Sequence, residues 1–265
     1  MYTHARAAIV LVFFLAAFVA PAAAVPAAAA PDRQPEAETL PDAESLFENY
    51  IAAIGGREAL AKHRNRILHA SYRVLATDDI QILTISLESP NKLHAELEAP
   101  ALGSTIRATN GTTAWGINLT GSTFILNGRE KDELLDGAYF QGEADYKDHY
   151  ASIKTVGTAT IDNKPAIRVD FVTHSGIKGA VYFDPETHLV SARQVFPADN
   201  TGTSTLVTVS DYKDFEGVLI PTLQRQRVGD TLDPVVEISF NWIEINADTL
   251  PDFDPPADAT TNTEP

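Results

Sequence analysis

Most of this chain follows the two-residue hydrophobic period of β-strands, and this period is the strongest constraint on its fold. From Arg66 onward, apolar and polar residues alternate in segments such as IQILTISLES and KLHAELEA. Turn-forming pairs such as Asn110-Gly111 and Asp162-Asn163 separate the segments and accept the positive φ of tight hairpins. The pattern predicts about eleven strands. Because they lie close together in sequence, the sheet should be mostly antiparallel.

Helical periodicity is limited to two places. A helix is predicted to begin near Asp42, whose side chain can cap free backbone N–H groups, and to end at Gly55-Gly56. A second helical segment is predicted within residues 129–150, where the strand alternation stops. The chain offers little other helix with which to cover a large sheet.

The first 24 residues have the features of a secretory signal peptide: Arg6, an apolar run over 7–20 and small residues up to a cleavage site near Ala24. A transmembrane anchor is the alternative, but the run is short for a span of about 20 residues. We therefore predict export to the periplasm.

The remaining residues divide into three parts by composition. Residues 25–41 are rich in Ala and Pro and predict a flexible leader. Residues 42–250 carry the helical and strand patterns of one folded domain. Residues 251–265 are acidic and proline-rich, which predicts a disordered tail.

Composition excludes several classes of function. The chain contains no cysteine, so disulfides, thiolate metal sites and a lipid-modified N-terminal cysteine are excluded. Its formal net charge of −16 disfavours nucleic acid and anionic membrane surfaces as partners. No phosphate loop, dinucleotide fingerprint, HExxH motif or nucleophile elbow occurs. We expect no catalytic residue, no metal and no cofactor.

Three clusters of carboxylates and histidines are possible sites. In DPETH, residues 184–188, the order Asp-Pro followed by polar residues is typical of a type I turn, which is the favoured interpretation. His94 and Glu96 share a strand face but have no third metal ligand nearby in sequence. Asp145, Asp148 and His149 could form a site, although a charged helix surface is the more common arrangement.

Apolar stripes are the better evidence for function. AIRVDFV, GAVYFD and VVEISFNWIEI each place their apolar residues on one face of a strand. The stripes could be an ordinary packed core, or they could line an apolar cavity that short helices cover incompletely; both interpretations stay open. The cavity candidates are Ile167, Val169, Phe171, Val181, Phe183, Val236, Ile238, Phe240 and Trp242 on strands, with Leu134, Leu135 and Tyr139 on the helical segment.

Several blocks of the chain resemble the LolA/LolB-like, or outer membrane lipoprotein-sorting protein-like, family. They include YIAAIGGREALAKHRNRILHASYRV, NGTTAWGIN, VDFVTHSGIKGAVYFDPETHLVSARQV and SDYKDFEGVLIPT, in an order that covers residues 42–256. The resemblance implies a mainly β (α+β) fold: an unclosed, strongly curved antiparallel β-barrel with short helices over its concave face. His188 departs from the glycine usual in that turn.

The resemblance also implies a function. It suggests a soluble periplasmic carrier that binds the acyl chain of a lipid or lipoprotein, with a lid around Leu134, Leu135 and Tyr139. The alternative is a periplasmic protein-binding or envelope sensor module that uses the same fold with a filled core, in which case the partners are envelope proteins. The absence of cysteine excludes a lipid-anchored receptor.

Overall fold

A computed structural model describes residues 40–100, 102–197, 203–229, 231 and 233–261. The predicted signal peptide and nearly all of the predicted leader lie outside the described residues. The helices are α1 (Ala43–Ala53), α2 (Gly56–Leu60), α3 (Gly128–Gly137) and α4 (Tyr146–His149), and a 3-10 turn (Gly142–Asp145) precedes α4. No helix in the described ranges is both long and apolar enough to cross a membrane.

The described residues form one sheet of 14 strands. The strands are β1 (Asn65–Val74), β2 (Asp79–Glu88), β3 (Lys92–Ala99), β4 (Gly103–Thr109), β5 (Ala114–Ile117), β6 (Thr123–Ile125), β7 (Tyr150–Ile161), β8 (Lys164–Thr173), β9 (Lys178–Phe183), β10 (Val190–Val195), β11 (Thr205–Phe215), β12 (Val218–Val228), β13 (Val236–Ile245) and β14 (Thr260–Thr261).

The strand order is β14-β6-β5-β4-β3-β2-β1-β13-β12-β11-β10-β9-β8-β7. Strand β1 pairs with β13, which joins the first six strands to the later ones. Only β14 pairs in parallel, with β6. Because β7 and β14 lie at opposite ends of this order, the sheet is unclosed. The predicted fold class is confirmed, with more strands than expected because several short strands lie near the edge.

Helix α1 begins and ends where the sequence predicts. The Asp42 carboxylate accepts hydrogen bonds from the Ser45 backbone N–H at 2.9 Å and from the Ser45 hydroxyl at 2.8 Å. Gly55 follows the helix with φ of +121°. A Cβ atom at Gly55 would lie 2.0 Å from the Gly217 carbonyl oxygen, so only glycine allows this approach to the β11–β12 hairpin. The buried stripe of α1 is Leu46, Phe47, Tyr50 and Ile51.

One continuous hydrophobic core joins the helices to strands from both halves of the sheet. Leu93 on β3, Val181 on β9 and Ile238 on β13 belong to the same cluster as Phe47 on α1. A single core can include strands so far apart in the order only if the sheet curves around the helices. The core therefore occupies the concave side.

The C-terminal segment differs from its prediction as a disordered tail. Over residues 251–261, the described part, Phe253 is buried and its carbonyl accepts a 2.9 Å hydrogen bond from the Trp115 indole N–H. Asn110 also donates to the Asp254 carboxylate at 2.7 Å. One aromatic residue with a matching site is enough to fix an otherwise polar segment, which composition alone does not reveal.

The alternation predicted that Trp242 shares a face with the apolar residues before it. In the structure it lies on the opposite face. Strand β13 has a bulge: Phe240 pairs with Ala70 and Trp242 pairs with His69, so Asn241 is an extra residue. A bulge reverses the facing of all residues beyond it. Trp242 is consequently 57% exposed on the outer face and stacks on His69 at 4.8 Å.

Candidate functional site

The concave face has two parts, and closely packed aromatic side chains fill the first part. Phe47 stacks on Tyr146 with ring centroids 4.7 Å apart and meets Phe183 edge-on at 5.0 Å. Tyr150 stacks on Phe171 at 4.5 Å. All five rings are buried, and we call this group the aromatic core.

Most of the predicted cavity residues lie in the packed core. Phe171 and Phe183 belong to the aromatic core, and Leu135 on α3 is only partly buried. None of these three lines the cavity described below. The other residues buried in the packed core away from that cavity are Leu134, Ile167, Val169, Val181, Val236 and Ile238. A role of any of them in ligand binding stays a prediction.

The second part of the concave face contains a cavity of about 190 Å³, which we call the inner cavity. Strands β1, β2, β12 and β13 form its floor, and α1, α2 and residues 137–143 cover it. Two predicted residues, Tyr139 and Phe240, line it. Its other apolar lining residues are Ile54, Leu60, Leu68, Ile85, Leu87, Val218, Leu219, Ile220 and Pro221.

Residues 137–143, which we call the roof segment, connect α3 to the 3-10 turn. The Phe140 N–H donates to the Pro90 carbonyl at 2.9 Å, and the Arg66 guanidinium donates to the Phe140 carbonyl. The Gln141 side-chain amide donates to the Leu60 carbonyl at 3.0 Å. These three hydrogen bonds fix the segment to the β2–β3 turn, to β1 and to α2. The buried Phe140 ring and the contact of Glu143 with Arg193 at 3.3 Å add to them.

Arg66 is the basic residue of the inner cavity lining. Its guanidinium carbon lies 4.7 Å from the centre of the Phe140 ring. Burial lowers the pKa of Arg66 to about 10, with Tyr50 and Asp145 acting in the opposite direction. The side chain therefore keeps its positive charge at neutral pH. The Nε atom is buried and has no hydrogen-bond partner among the described residues.

A buried cluster of charges connects the helical segment to the sheet. The Asp136 carboxylate on α3 lies 2.7 Å from His149 Nε2 and 2.7 Å from Arg193 Nη2 on β10. Arg193 Nε also lies 3.3 Å from the Glu143 carboxylate. The His149 ring stacks between two tyrosines, Tyr139 at 4.4 Å and Tyr150 at 4.2 Å.

The electrostatics of this cluster favour its ionised form. Burial alone would raise the pKa of Asp136, but the Arg193 charge and the hydrogen bonds from His149 and Arg193 outweigh it, so the pKa of Asp136 is lowered. The sequence interpretation grouped His149 with Asp145 and Asp148 and missed Asp136. Asp136 is one of three buried residues of α3, with Glu133 and Leu134, but its spacing from Leu134 does not place it on the same helix face, and nothing local indicated Arg193.

The DPETH segment is a turn, as its composition predicts. The Asp184 carboxylate accepts hydrogen bonds from the backbone N–H groups of Glu186 and Thr187, both at 2.9 Å. His188 follows with φ of +61° and is exposed. Across the described ranges, no group of three or more His, Asp or Glu side chains could hold a metal ion.

A second depression, of about 320 Å³, lies on the outer face between the β7–β8 hairpin and strands β10–β12. Leu223 and Arg225 line it, whereas Gln224 between them lines the inner cavity, as expected for a strand that alternates its faces. Two of its charged residues form ion pairs: Arg225 contacts Glu237 at 2.8 Å, and Asp162 contacts Arg227 at 2.6 Å, while Lys164, Asp184 and Asp211 also line it. This lining is unsuited to an acyl chain.

No family model matches the chain, and no curated protein matches it. Solved structures do share its architecture. A LolA superfamily protein from Nitrosomonas europaea has a TM-score of 0.56 at 11% identity and covers 81% of this chain and 98% of its own. A DUF1329 family protein from Desulfovibrio piger has a TM-score of 0.53 at 9% identity and covers 78% and 94%.

A domain from Vibrio parahaemolyticus, named for outer membrane lipoprotein sorting, has a TM-score of 0.53 at 8% identity and covers 73% of this chain and 92% of its own. At such identities the likeness concerns the fold, since few side chains are shared. The unclosed antiparallel sheet, the helices on its concave side and these structural matches together show that this protein has a LolA-like fold.

Proposed function

We propose that this protein is a soluble periplasmic carrier that binds the acyl chain of a lipid or lipoprotein in the inner cavity. The observation that carries the proposal is the cavity itself, which has mainly apolar walls and is covered by α1, α2 and the short roof segment. Binding of this kind uses the hydrophobic effect and needs no catalytic group. The lipoprotein-sorting name of one structural neighbour agrees with this function.

The size of the inner cavity limits what it can accept. Its volume of about 190 Å³ is below the ~300–1,000 Å³ typical of small-molecule sites. In this conformation it would hold part of one chain. A complete chain requires the roof segment to move away from the sheet. That movement would break the hydrogen bonds of Phe140 and Gln141, separate Glu143 from Arg193 and displace the Phe140 ring. Each buried methylene would contribute about 0.8 kcal/mol.

A filled cavity tests the proposal. Ile85 on β2 lines the inner cavity, while Ile82 on the same strand points outward and is exposed. We expect Ile85→Trp to weaken binding of the uncharged dye Nile red at least about tenfold, because the indole would occupy the cavity. Ile82→Trp is the matched control and should bind as the wild type does.

Fluorescence titration of the three proteins measures this difference, with circular dichroism to verify folding. A wild-type protein that binds no dye and carries no acyl compound after purification from the cell envelope would contradict the carrier function. Equal binding by wild type and Ile85→Trp would place the ligand elsewhere.

We expect the protein to have no catalytic activity. The nearest arrangement to a catalytic pair is Asp136 with His149, and both side chains are buried, 2% and 3% exposed. No serine, threonine or tyrosine hydroxyl hydrogen-bonds to the remaining ring nitrogen of His149 in the described residues. Turnover of p-nitrophenyl dodecanoate that disappears in His149→Ala would overturn this expectation.

A protein-binding or sensor module is the second candidate function. Ile80 and Ile82 on β2 and Trp242 on β13 are exposed on the outer face. Exposed apolar side chains that lie close together commonly mark protein interaction sites. A photo-crosslinking residue at position 82 should then capture an envelope protein, and Trp242→Ser should weaken the capture. If neither occurs while acyl chains bind, the carrier function stands alone.

A further inference from the structure

The charge of Arg66 indicates which acyl compounds the inner cavity would select. We propose that the cavity binds a single-chain amphiphile whose head group is an anionic oxygen group, as in a fatty acid, and that this head group pairs with Arg66. The inference rests on the proposed function and identifies the ligand class of the same site.

The Arg66 guanidinium has few partners within the described part of the protein. No carboxylate oxygen of the described residues lies within 4.0 Å of its guanidinium nitrogens. Arg66 is partly buried, and a cation in that position without a paired anion is less well solvated than it would be in water. The hydrogen bond to the Phe140 carbonyl uses one Nη atom and leaves the buried Nε unpaired.

Two carboxylates, those of Glu143 and Asp145, lie near the inner cavity. Glu143 lines the cavity, but its carboxylate is engaged by Arg193 Nε at 3.3 Å and by the Tyr150 hydroxyl at 3.4 Å. Asp145 accepts the backbone N–H of Gln141 at 2.9 Å. Both acids are held by other groups: Glu143 by Arg193 on β10, and Asp145 by the backbone of the roof segment. The Arg66 guanidinium is therefore the cation available to a ligand.

Anionic, uncharged and cationic head groups would interact differently with Arg66. An anionic oxygen group in the cavity could accept from the Arg66 guanidinium and add a charge-assisted hydrogen bond. An uncharged head group would gain less, and a cationic one would be repelled. The other walls of the cavity are mainly apolar, which suits one hydrocarbon chain attached to such a head.

Three compounds with the same chain and different heads test the inference. Dodecanoate, 1-dodecanol and dodecyltrimethylammonium are each titrated against Nile red bound to the wild-type protein, at concentrations below micelle formation, and displacement of the dye is measured. We expect dodecanoate to bind about 10- to 100-fold more tightly than dodecanol, and the ammonium compound to bind most weakly. Acetate, which has the head without the chain, should not displace the dye.

Variants of two arginines complete the experiment. Arg66→Met should abolish the preference for dodecanoate, and Arg66→Lys should retain part of it because the charge remains. Arg225→Met removes an equal charge from the outer face and should leave the preference unchanged.

The outcomes separate the two proposals. If none of the chain compounds binds, the carrier function fails. If dodecanol binds as tightly as dodecanoate to the wild type, the carrier function stands and the inference about Arg66 is wrong. A preference that survives in folded Arg66→Met also overturns it. The wild-type comparison decides the question even if Arg66→Met does not fold.

Discussion

The aromatic core and the inner cavity lie on the same concave face under the same helical segment, yet one is filled and the other is hollow. The aromatic core is filled because the Phe47 ring on α1 packs against Tyr146 on α4 and against Tyr150 and Phe183 on the sheet, and Tyr150 in turn stacks on Phe171. Above the inner cavity the roof segment contributes Gly137 and Gly142, which have no side chain. The difference shows that the residues above the sheet decide where a hollow remains.

The two regions should also have different roles: the aromatic core mainly stabilises the fold, and the inner cavity is the proposed binding site. The aromatic core and the buried cluster of Asp136, His149 and Arg193 fasten the helical segment to β7–β10. The roof segment contributes one buried ring, that of Phe140, and is otherwise held by the hydrogen bonds of Phe140 and Gln141 and by the contact of Glu143 with Arg193. Movement that admits a ligand should therefore begin over the inner cavity and leave the aromatic core in place.

The largest expected effect is in the aromatic core. Phe183→Ala should reduce the free energy of unfolding by about 3–5 kcal/mol, because a close-packed ring leaves a void. Phe240→Ala, beside an existing cavity, should cost about 2 kcal/mol, since fewer contacts are lost. Urea denaturation of both variants measures the difference, and equal losses would mean that the two regions are packed alike.

Removal of the buried carboxylate should have the next largest effect. Asp136→Asn should cost about 3 kcal/mol, because it leaves the charge of Arg193 less compensated in the interior. The control is Asp170→Asn, which breaks the partly exposed contact with Arg168 at 2.6 Å and should cost less than about 1 kcal/mol. Similar losses in the two variants would indicate that the Asp136 cluster is solvated.

The pH dependence of stability tests the same cluster with a smaller effect. The pKa of Asp136 is lowered in the folded state, so folding favours the ionised carboxylate. This stabilisation is complete above the unfolded-state pKa of about 4 and is lost as the pH falls through the lower folded-state value. Wild type should lose stability more steeply than Asp136→Asn below about pH 4. Parallel acid titrations of unfolding would contradict it.

The smallest expected effect concerns Trp242, which the sequence pattern placed in the cavity. Trp242→Ser should change the free energy of unfolding by no more than about 0.5 kcal/mol and leave Nile red binding unchanged, because the indole lies on the outer face. A marked loss of dye binding would mean that the bulge in β13 is absent when ligand is bound.

Local rules predicted much of the fold. Asp42 as an N-cap, the stripe of α1, the helical segment after β6 and the Asp184 turn all follow from interactions between residues close in sequence. The same rules failed where a distant partner decides: the β13 bulge that turns Trp242 outward depends on β1, and the anchoring of Phe253 depends on Trp115.

The candidate site could be predicted only in part. Tyr139 and Phe240 were identified because their strand or helix periodicity pointed them inward. Arg66 was not, because it lies in an ordinary strand sequence and its neighbours give no sign that its charge lacks a partner. The pairing of Asp136 with Arg193 joins residues 57 positions apart.

By itself, the sequence determined the alternating strands, their hairpin connections and the short helices, because these depend on periodicity and turn chemistry within a few residues. Only the tertiary structure decided which apolar faces are packed and which enclose space, and that Arg66 has no carboxylate within 4.0 Å among the described residues. Those properties depend on the volume and charge that distant segments bring to one place, and no local pattern records them.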